Sequence, residues 1–164
     1  MKYFKENSIL LSDFDGVLLD TQSKFNEVMK DETDFNLWNN YLNGIDWNKF
    51  YKTSDEIPNA KHVLKELEKL KILKGFITKI HSLYEGEEKL KIIRKMNFSV
   101  PIYYVLPKQR KSEVYKPDSN IVLLDDGFDN VVDWEMNGGS SILYNHNTNH
   151  AKKIVINNMT DLLK

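Results

Sequence analysis

The chain has 164 residues, a formal net charge of −1 and no cysteine. That length makes one ordinary domain with room for a small insert. Near-neutral charge excludes a protein held on nucleic acid or on a membrane surface by bulk electrostatics, and the missing cysteines exclude a disulfide scaffold, a thiolate zinc site and a cysteine nucleophile.

Hydrophobic residues at 41% and charged residues at 29% place the chain among folded globular proteins rather than disordered ones. Met1 to Glu6 carries Lys2, Lys5 and Glu6 ahead of a short apolar stretch at 9–11. That stretch is too short for the apolar part of a signal peptide. No run approaches the roughly 18 apolar residues of a membrane span. A cytoplasmic protein with no membrane partner is expected.

The first element is a strand, Ile9-Leu10-Leu11, running into Ser12-Asp13-Phe14-Asp15-Gly16. The stretch 21–57 follows, rich in Asn, Asp and aromatics and with no strand expected in it. It reads as a small helical insertion, a cap on a core formed by 1–20 and 58–164. A helix is predicted over 60–71, started by Pro58-Asn59, with Val63, Leu64, Leu67 and Leu70 at helical spacing. A second buried strand, Gly75-Phe76-Ile77, closes on Thr78. A helix over 86–96 turns Leu90, Ile93 and Met96 inward, and a weaker strand spans 102–106. The strand Ile121-Val122-Leu123-Leu124 then runs into Asp125-Asp126-Gly127. A helix at 128–137 stops at Gly138-Gly139, followed by strands at 141–144 and, on an edge, 154–156.

Short apolar runs without alternation are strands buried on both faces, which belong to parallel sheets. Alternating with helices, they predict an α/β fold: a Rossmann-like parallel sheet flanked by helices, with the small helical cap inserted after the first strand. Lysines and glutamates alternate over 61–74, as on a solvated helix face. His62, His81, His146 and His150 show no ligand spacing.

Ligands of parallel α/β sheets bind beyond the carboxyl ends of the strands. Those ends carry Asp13 and Asp15, Thr78, and Asp125 and Asp126. Four carboxylates converging there repel one another unless a cation sits among them. A donor set of hard oxygens without His or Cys selects Mg²⁺. Asp13 and Asp15 are two apart, hence on one side of an extended chain, and Gly16 lets the chain turn next. The strand ends alone therefore point to a magnesium-dependent site for a phosphate-bearing substrate.

The segment Asp13-Phe14-Asp15-Gly16-Val17-Leu18-Leu19-Asp20 resembles the first motif of the haloacid dehalogenase-like superfamily of phosphotransferases. The strand ending at Thr78 is similar to the second motif. Leu123-Leu124-Asp125-Asp126, followed by Asn130, resembles the fourth motif in its double-aspartate form. This resemblance implies Asp13 as nucleophile and Asp15 as general acid and base. It implies Asp13, Asp126 and the backbone carbonyl of Asp15 as Mg²⁺ ligands, with Asp125 behind them. Thr78 and a lysine of the third motif would bind phosphoryl oxygens. Lys108, Lys111 and Lys116 all stand near the expected place, and Lys111, opening Lys-Ser-Glu-Val-Tyr, matches the register best, with Lys108 next.

A cap of this size resembles that of the 5′(3′)-deoxyribonucleotidase branch, as do Trp134 and Gly138-Gly139 in the tail. The resemblance implies a phosphomonoesterase acting through an aspartyl-phosphate, with a nucleoside monophosphate as substrate. Phe25, Phe35, Trp38, Tyr41, Trp47, Phe50 and Tyr51 crowd the cap; they are either its own core or a platform for a base. Rival substrates are another small metabolite or a polynucleotide 3′ end, the latter disfavoured by the charge. A catalytically silent binding member of the fold is the non-enzyme rival, and Asp15, which keeps the acid/base in place, weighs against it.

Overall fold

The structure is a computed structural model and describes residues 1–28, 35–144 and 153–164, the side chains of 27–28 and 35–39 excepted. Its strands are β1 (Ile9–Ser12), β2 (Leu19–Asp20), β3 (Asp55–Glu56), β4 (Leu73–Lys79), β5 (Ile102–Val105), β6 (Ile121–Asp125), β7 (Ser140–Tyr144) and β8 (Val155–Ile156). The helices are α1 (Gln22–Val28), α2 (Phe35–Gly44), α3 (Trp47–Lys52), α4 (Ala60–Lys69), α5 (Leu83–Lys95), α6 (Lys111–Val114) and α7 (Phe128–Met136), and a 3₁₀ turn covers Met159–Leu163.

Six strands form one sheet in the order β5-β4-β1-β6-β7-β8, every pairing parallel. Both faces are covered, which is why the central strands β1, β4 and β6 carry buried apolar runs. On one face Leu10, Phe76, Val122, Leu124 and Ile142 cluster with Val63, Leu64 and Leu67 of α4 and with Met159 and Leu162. On the other, Leu11, Ile77, Val105, Ile121 and Leu123 gather around Trp134 of α7. The Trp134 indole N–H donates to the Ile121 carbonyl at 3.2 Å, so the buried ring leaves no polar atom unpaired. Burial of each such leucine contributes about 1.5–3 kcal/mol.

Three details depart from the sequence-based expectation. Helix α4 ends at Lys69, so Leu70, expected on its apolar face, caps it and is exposed. The stretch 21–57 is not free of strand: β3 lies inside it and pairs antiparallel with β2, Leu19 opposite Glu56 and Asp20 opposite Asp55. A two-residue strand has no periodicity to read. Helix α5 starts at Leu83 rather than 86, because Ser82 caps it by accepting the Glu85 N–H at 3.1 Å. Its inward face also begins polar: Glu85, Gly86, Glu88 and Lys89 are buried before Ile93, whereas Leu90 and Met96 are half-buried.

The aromatics between β2 and β3 are packed against one another. Trp47 and Tyr51 are buried, and Trp47 meets Phe50 at 5.5 Å and Tyr51 at 5.7 Å between ring centroids. Phe25 lies 4.9 Å from Phe50, and Tyr41 is half-buried against the same core. Tyr51 also meets Phe14, edge-on at 5.5 Å, which joins α3 to the loop after β1. These five rings do the work of a core. The side chains of Phe35 and Trp38 lie outside the described residues.

Candidate active site

β1 lies between β4 and β6, so successive connections leave the middle of the sheet in opposite directions and open a crevice at its carboxyl end. Asp13 stands at that point, its N–H donating to the Leu124 carbonyl of β6 at 2.8 Å. The chain then bends and turns at Gly16, where φ is +70°. A side chain there would be strained, and its Cβ would also collide with the Asp126 carboxylate. Glycine thus brings Asp126 against the Asp13–Gly16 loop.

Carboxylate oxygens of Asp13, Asp125 and Asp126 all lie within 4.8 Å of one another, and they are the only such acidic or His group among the described residues. One lysine serves the cluster. Lys111, at the first position of α6 and 4% exposed, places its ammonium 2.7 Å from Asp13 and 2.5 Å from Asp125. Lys108 and Lys116 are exposed. Asp125 has both oxygens occupied, one by Lys111 and the other by the Gly127 N–H at 2.8 Å and the Asn130 amide at 3.0 Å. Asp13 accepts the Phe14 N–H on its second oxygen at 2.7 Å.

A single cation does not offset this acidity. Burial pushes the Asp13 carboxyl up to about 7, with Lys111 opposing and Asp125 and Asp15 adding to the rise. Burial, joined by Asp13 and Asp125, pushes Asp126 up to about 8. For Lys111, burial works against the charged form, but Asp125 and Asp13 outweigh it and raise its pKa. The donor set is hard oxygen throughout, short of positive charge, and opposite a backbone turn held open by glycine. It fits a small divalent cation such as Mg²⁺.

Asp15 is brought to the same crevice but not into that cluster. Its Oδ2 is 2.6 Å from the ammonium of Lys89, and the Thr78 hydroxyl stands 3.4 Å away. Its Oδ1 is buried and has no hydrogen-bond partner among the described residues. Thus Asp13 and Asp15, read from spacing as sharing one side of the chain, are neighbours served by two different lysines, because the chain bends at Phe14. Lys89 went unread in the sequence, where Glu-Gly-Glu-Glu-Lys-Leu-Lys looks like a solvated face. The available signal was the line Glu85, Lys89, Ile93 at successive steps of four, which puts the two charges above an apolar residue on one side of the helix. Of the histidines, His81 bonds Glu85 (3.1 Å from Nδ1), and His146 and His150 lie outside the described residues.

The acid cluster makes a pH prediction. Asp13 and Asp126 titrate higher folded than unfolded, so between about pH 4 and 8 the folded protein binds more protons and its stability falls as pH rises. The metal-free protein is expected to melt at least about 5 °C lower at pH 8.5 than at pH 5.5, with Mg²⁺ raising the melting temperature more at the higher pH. Scanning calorimetry of the wild type beside Asp13→Asn/Asp126→Asn checks this; a double variant with the same slope would remove these two groups as its source.

Beside Asp126 a cleft of about 540 Å³ opens, lined among others by Asp20, Gln22, Ser23, Asn26 and Phe128. Among the described residues its only charged lining is the carboxylates Asp20 and Asp126. None of the five packed rings lines it.

Sheet order, switch point and acid cluster together define the chain as an α/β protein with the fold of the haloacid dehalogenase-like hydrolases. No family model matches the chain, and no curated protein does. Among solved structures it is similar to a haloacid dehalogenase-like family hydrolase of Streptococcus pneumoniae, at 13% identity over 99% of this chain and 98% of that one, with a TM-score of 0.65. A hydrolase of the same superfamily from Ehrlichia chaffeensis matches at 12% identity over 94% and 93%, with a TM-score of 0.60. A D,D-heptose 1,7-bisphosphate phosphatase of Burkholderia thailandensis matches at 9% over 95% and 96%, with a TM-score of 0.59. At these identities the likeness is one of fold. No helix among the described residues is long and apolar enough to cross a membrane.

Proposed function

We propose that this chain is a Mg²⁺-dependent phosphomonoester hydrolase acting through an aspartyl-phosphate on Asp13, with residues 21–57 as a cap over the crevice. The observation that carries the reading is the buried Asp13–Lys111–Asp125 ion pair set beside Asp126 at the switch point of the sheet. An Asp13 oxygen would attack phosphorus, forming an O–P bond as the ester P–O bond breaks, and Asp15 would give its proton to the departing oxygen. Asp15, now a carboxylate, would take a proton from water as that water attacks the acyl phosphate, releasing phosphate and regenerating Asp13. Thr78 and Lys111 would donate to phosphoryl oxygens, and Asp125 would hold Lys111 in place. Asp13, Asp126 and the Asp15 carbonyl would hold Mg²⁺, whose chemistry there is to screen the anionic nucleophile from the anionic ester.

A nucleoside monophosphate is the substrate this reading favours. The cleft has the size of a nucleoside-scale leaving group and, among the described residues, offers one aromatic face, Phe128. Among the described residues its charged lining is carboxylate only, which favours a leaving group without a second phosphate. The amides and hydroxyl of Gln22, Asn26 and Ser23 equally suit a hydroxyl-rich leaving group, so a sugar phosphate is the second reading. A panel of nucleoside monophosphates, nucleoside diphosphates, sugar phosphates and p-nitrophenyl phosphate, assayed with Mg²⁺, separates them. Nucleoside monophosphates should lead, and Phe128→Ala should cost them about 5- to 100-fold in kcat/KM while sparing p-nitrophenyl phosphate. Sugar phosphates in the lead, with Phe128→Ala neutral, would move the assignment to the second reading.

A further inference from the structure

Lys89 is a fully buried charged side chain beside the crevice, at 0% exposure, and the steps just described leave it without a part. Its ammonium faces four acceptors with three protons to give. These are Asp15 Oδ2 at 2.6 Å, the Lys79 carbonyl at 2.6 Å, Glu85 Oε1 at 2.9 Å and the Thr78 hydroxyl oxygen at 3.0 Å. Burial of an ammonium is costly unless it is paired and fully hydrogen-bonded, so this placement demands the partners it has.

Glu85 is tied down in turn. It accepts the Tyr51 hydroxyl of α3 at 3.1 Å and the His81 N–H at 2.6 Å. Burial would raise its pKa, but His81 and Lys89 hold it down at about 2, so the carboxylate stays charged beside the ammonium. Two further contacts join the same helices: Asn48 donates to Glu88 at 2.7 Å, and the Tyr84 hydroxyl to Asp46 at 3.2 Å. A continuous chain of bonds thus runs Tyr51–Glu85–Lys89–Asp15.

Two consequences follow at the reacting groups. With Oδ2 of Asp15 fixed by Lys89, the oxygen without a partner is Oδ1, and that is the one left for proton transfer. With Lys89 donating to the Thr78 oxygen, the hydroxyl proton of Thr78 must point elsewhere. Its contacts at 3.4 Å to Asp15 and 3.5 Å to the Lys79 carbonyl are long, so a phosphoryl oxygen would be the better acceptor.

We propose that Lys89 is the positioning residue of the acid/base step: it selects the oxygen of Asp15 that handles the proton, orients the Thr78 hydroxyl, and ties both to helix α3 through Glu85 and Tyr51. The proposal rests on the phosphatase reading above. A lysine that only holds the fold together would not distinguish substrates by how much their leaving groups need a proton; a lysine that positions Asp15 must.

The test compares single-turnover rates on phenyl phosphate, whose leaving oxygen needs a proton, and 2,4-dinitrophenyl phosphate, whose leaving group departs as a stable anion. Lys89→Met strands the buried Glu85 carboxylate and the half-buried Asp15 and can fail to fold, so Glu85→Gln/Lys89→Met, which removes the buried charge, is measured beside it. Phenyl phosphate cleavage is expected to slow about 10- to 100-fold, and dinitrophenyl phosphate cleavage by less than about threefold. Equal losses on both substrates, or none on either, overturn the proposal. Failure of the phosphatase reading looks different and appears first: the wild type would then cleave neither ester, or Asp13→Asn would cleave both as fast as the wild type.

Discussion

Asp13→Asn is expected to lower kcat by at least about 10³-fold, as loss of a nucleophile does when other groups remain in place. Asparagine keeps the shape of the side chain, but its single oxygen can accept only the Phe14 N–H or a Lys111 proton where the carboxylate took both, and it does not form a stable acyl phosphate. The fold should be intact, because Asp13 is a member of an acid cluster rather than of the apolar core. Burial already pushes its carboxyl up to about 7, so removing its charge should not lower the melting temperature of the metal-free protein at pH 8. Phosphate release with Mg²⁺, together with a melting curve, checks both halves. A variant retaining more than a few per cent of the wild-type rate would place the nucleophile elsewhere.

Lys111→Met has the largest effect expected on stability. The ammonium is 4% exposed and lies between two carboxylates. Methionine fills its volume but leaves Asp13 and Asp125 facing each other with no cation, and breaking a buried ion pair from one side costs about 3–5 kcal/mol. Turnover should fall as well, since the variant loses the donor assigned to the phosphoryl group. Urea unfolding of the metal-free protein measures the first effect. Adding Asp125→Asn to Lys111→Met should restore part of the lost stability, because it removes one of the stranded charges. The exposed Lys108, replaced by Met, should change neither quantity. Equal effects at 108 and 111 would deny Lys111 its structural role.

The parallel sheet was legible because its strands are buried on both faces. Leu10, Leu11, Phe76, Ile77, Leu123 and Leu124 are all fully buried, and such runs carry no polar alternation. The residues at the strand ends were legible for the same reason: a polar residue ending an apolar run stands where the sheet meets solvent. The two-residue β2–β3 pairing was not legible, since pairing that short depends on tertiary closeness alone. Nor was the direction of the aromatics between β2 and β3. Composition gives their density, whereas Trp47 and Tyr51 turn inward because α3 packs against α5 and against Phe14. Lys89 stayed hidden because lysine in a Glu- and Lys-rich helix is normally solvated. Only the neighbouring Asp15, more than seventy residues away in the chain, gives that ammonium a reason to be inside.

The most direct test is to trap the covalent species. The wild-type protein is mixed with substrate and Mg²⁺, quenched within a turnover and reduced with borohydride, which converts an aspartyl-phosphate to homoserine. Peptide mass spectrometry is expected to find homoserine at position 13, dependent on substrate, and absent from Asp13→Asn. Phosphate released at the full rate with Asp13 unmodified, or trapping at another residue, would contradict Asp13 as the nucleophile.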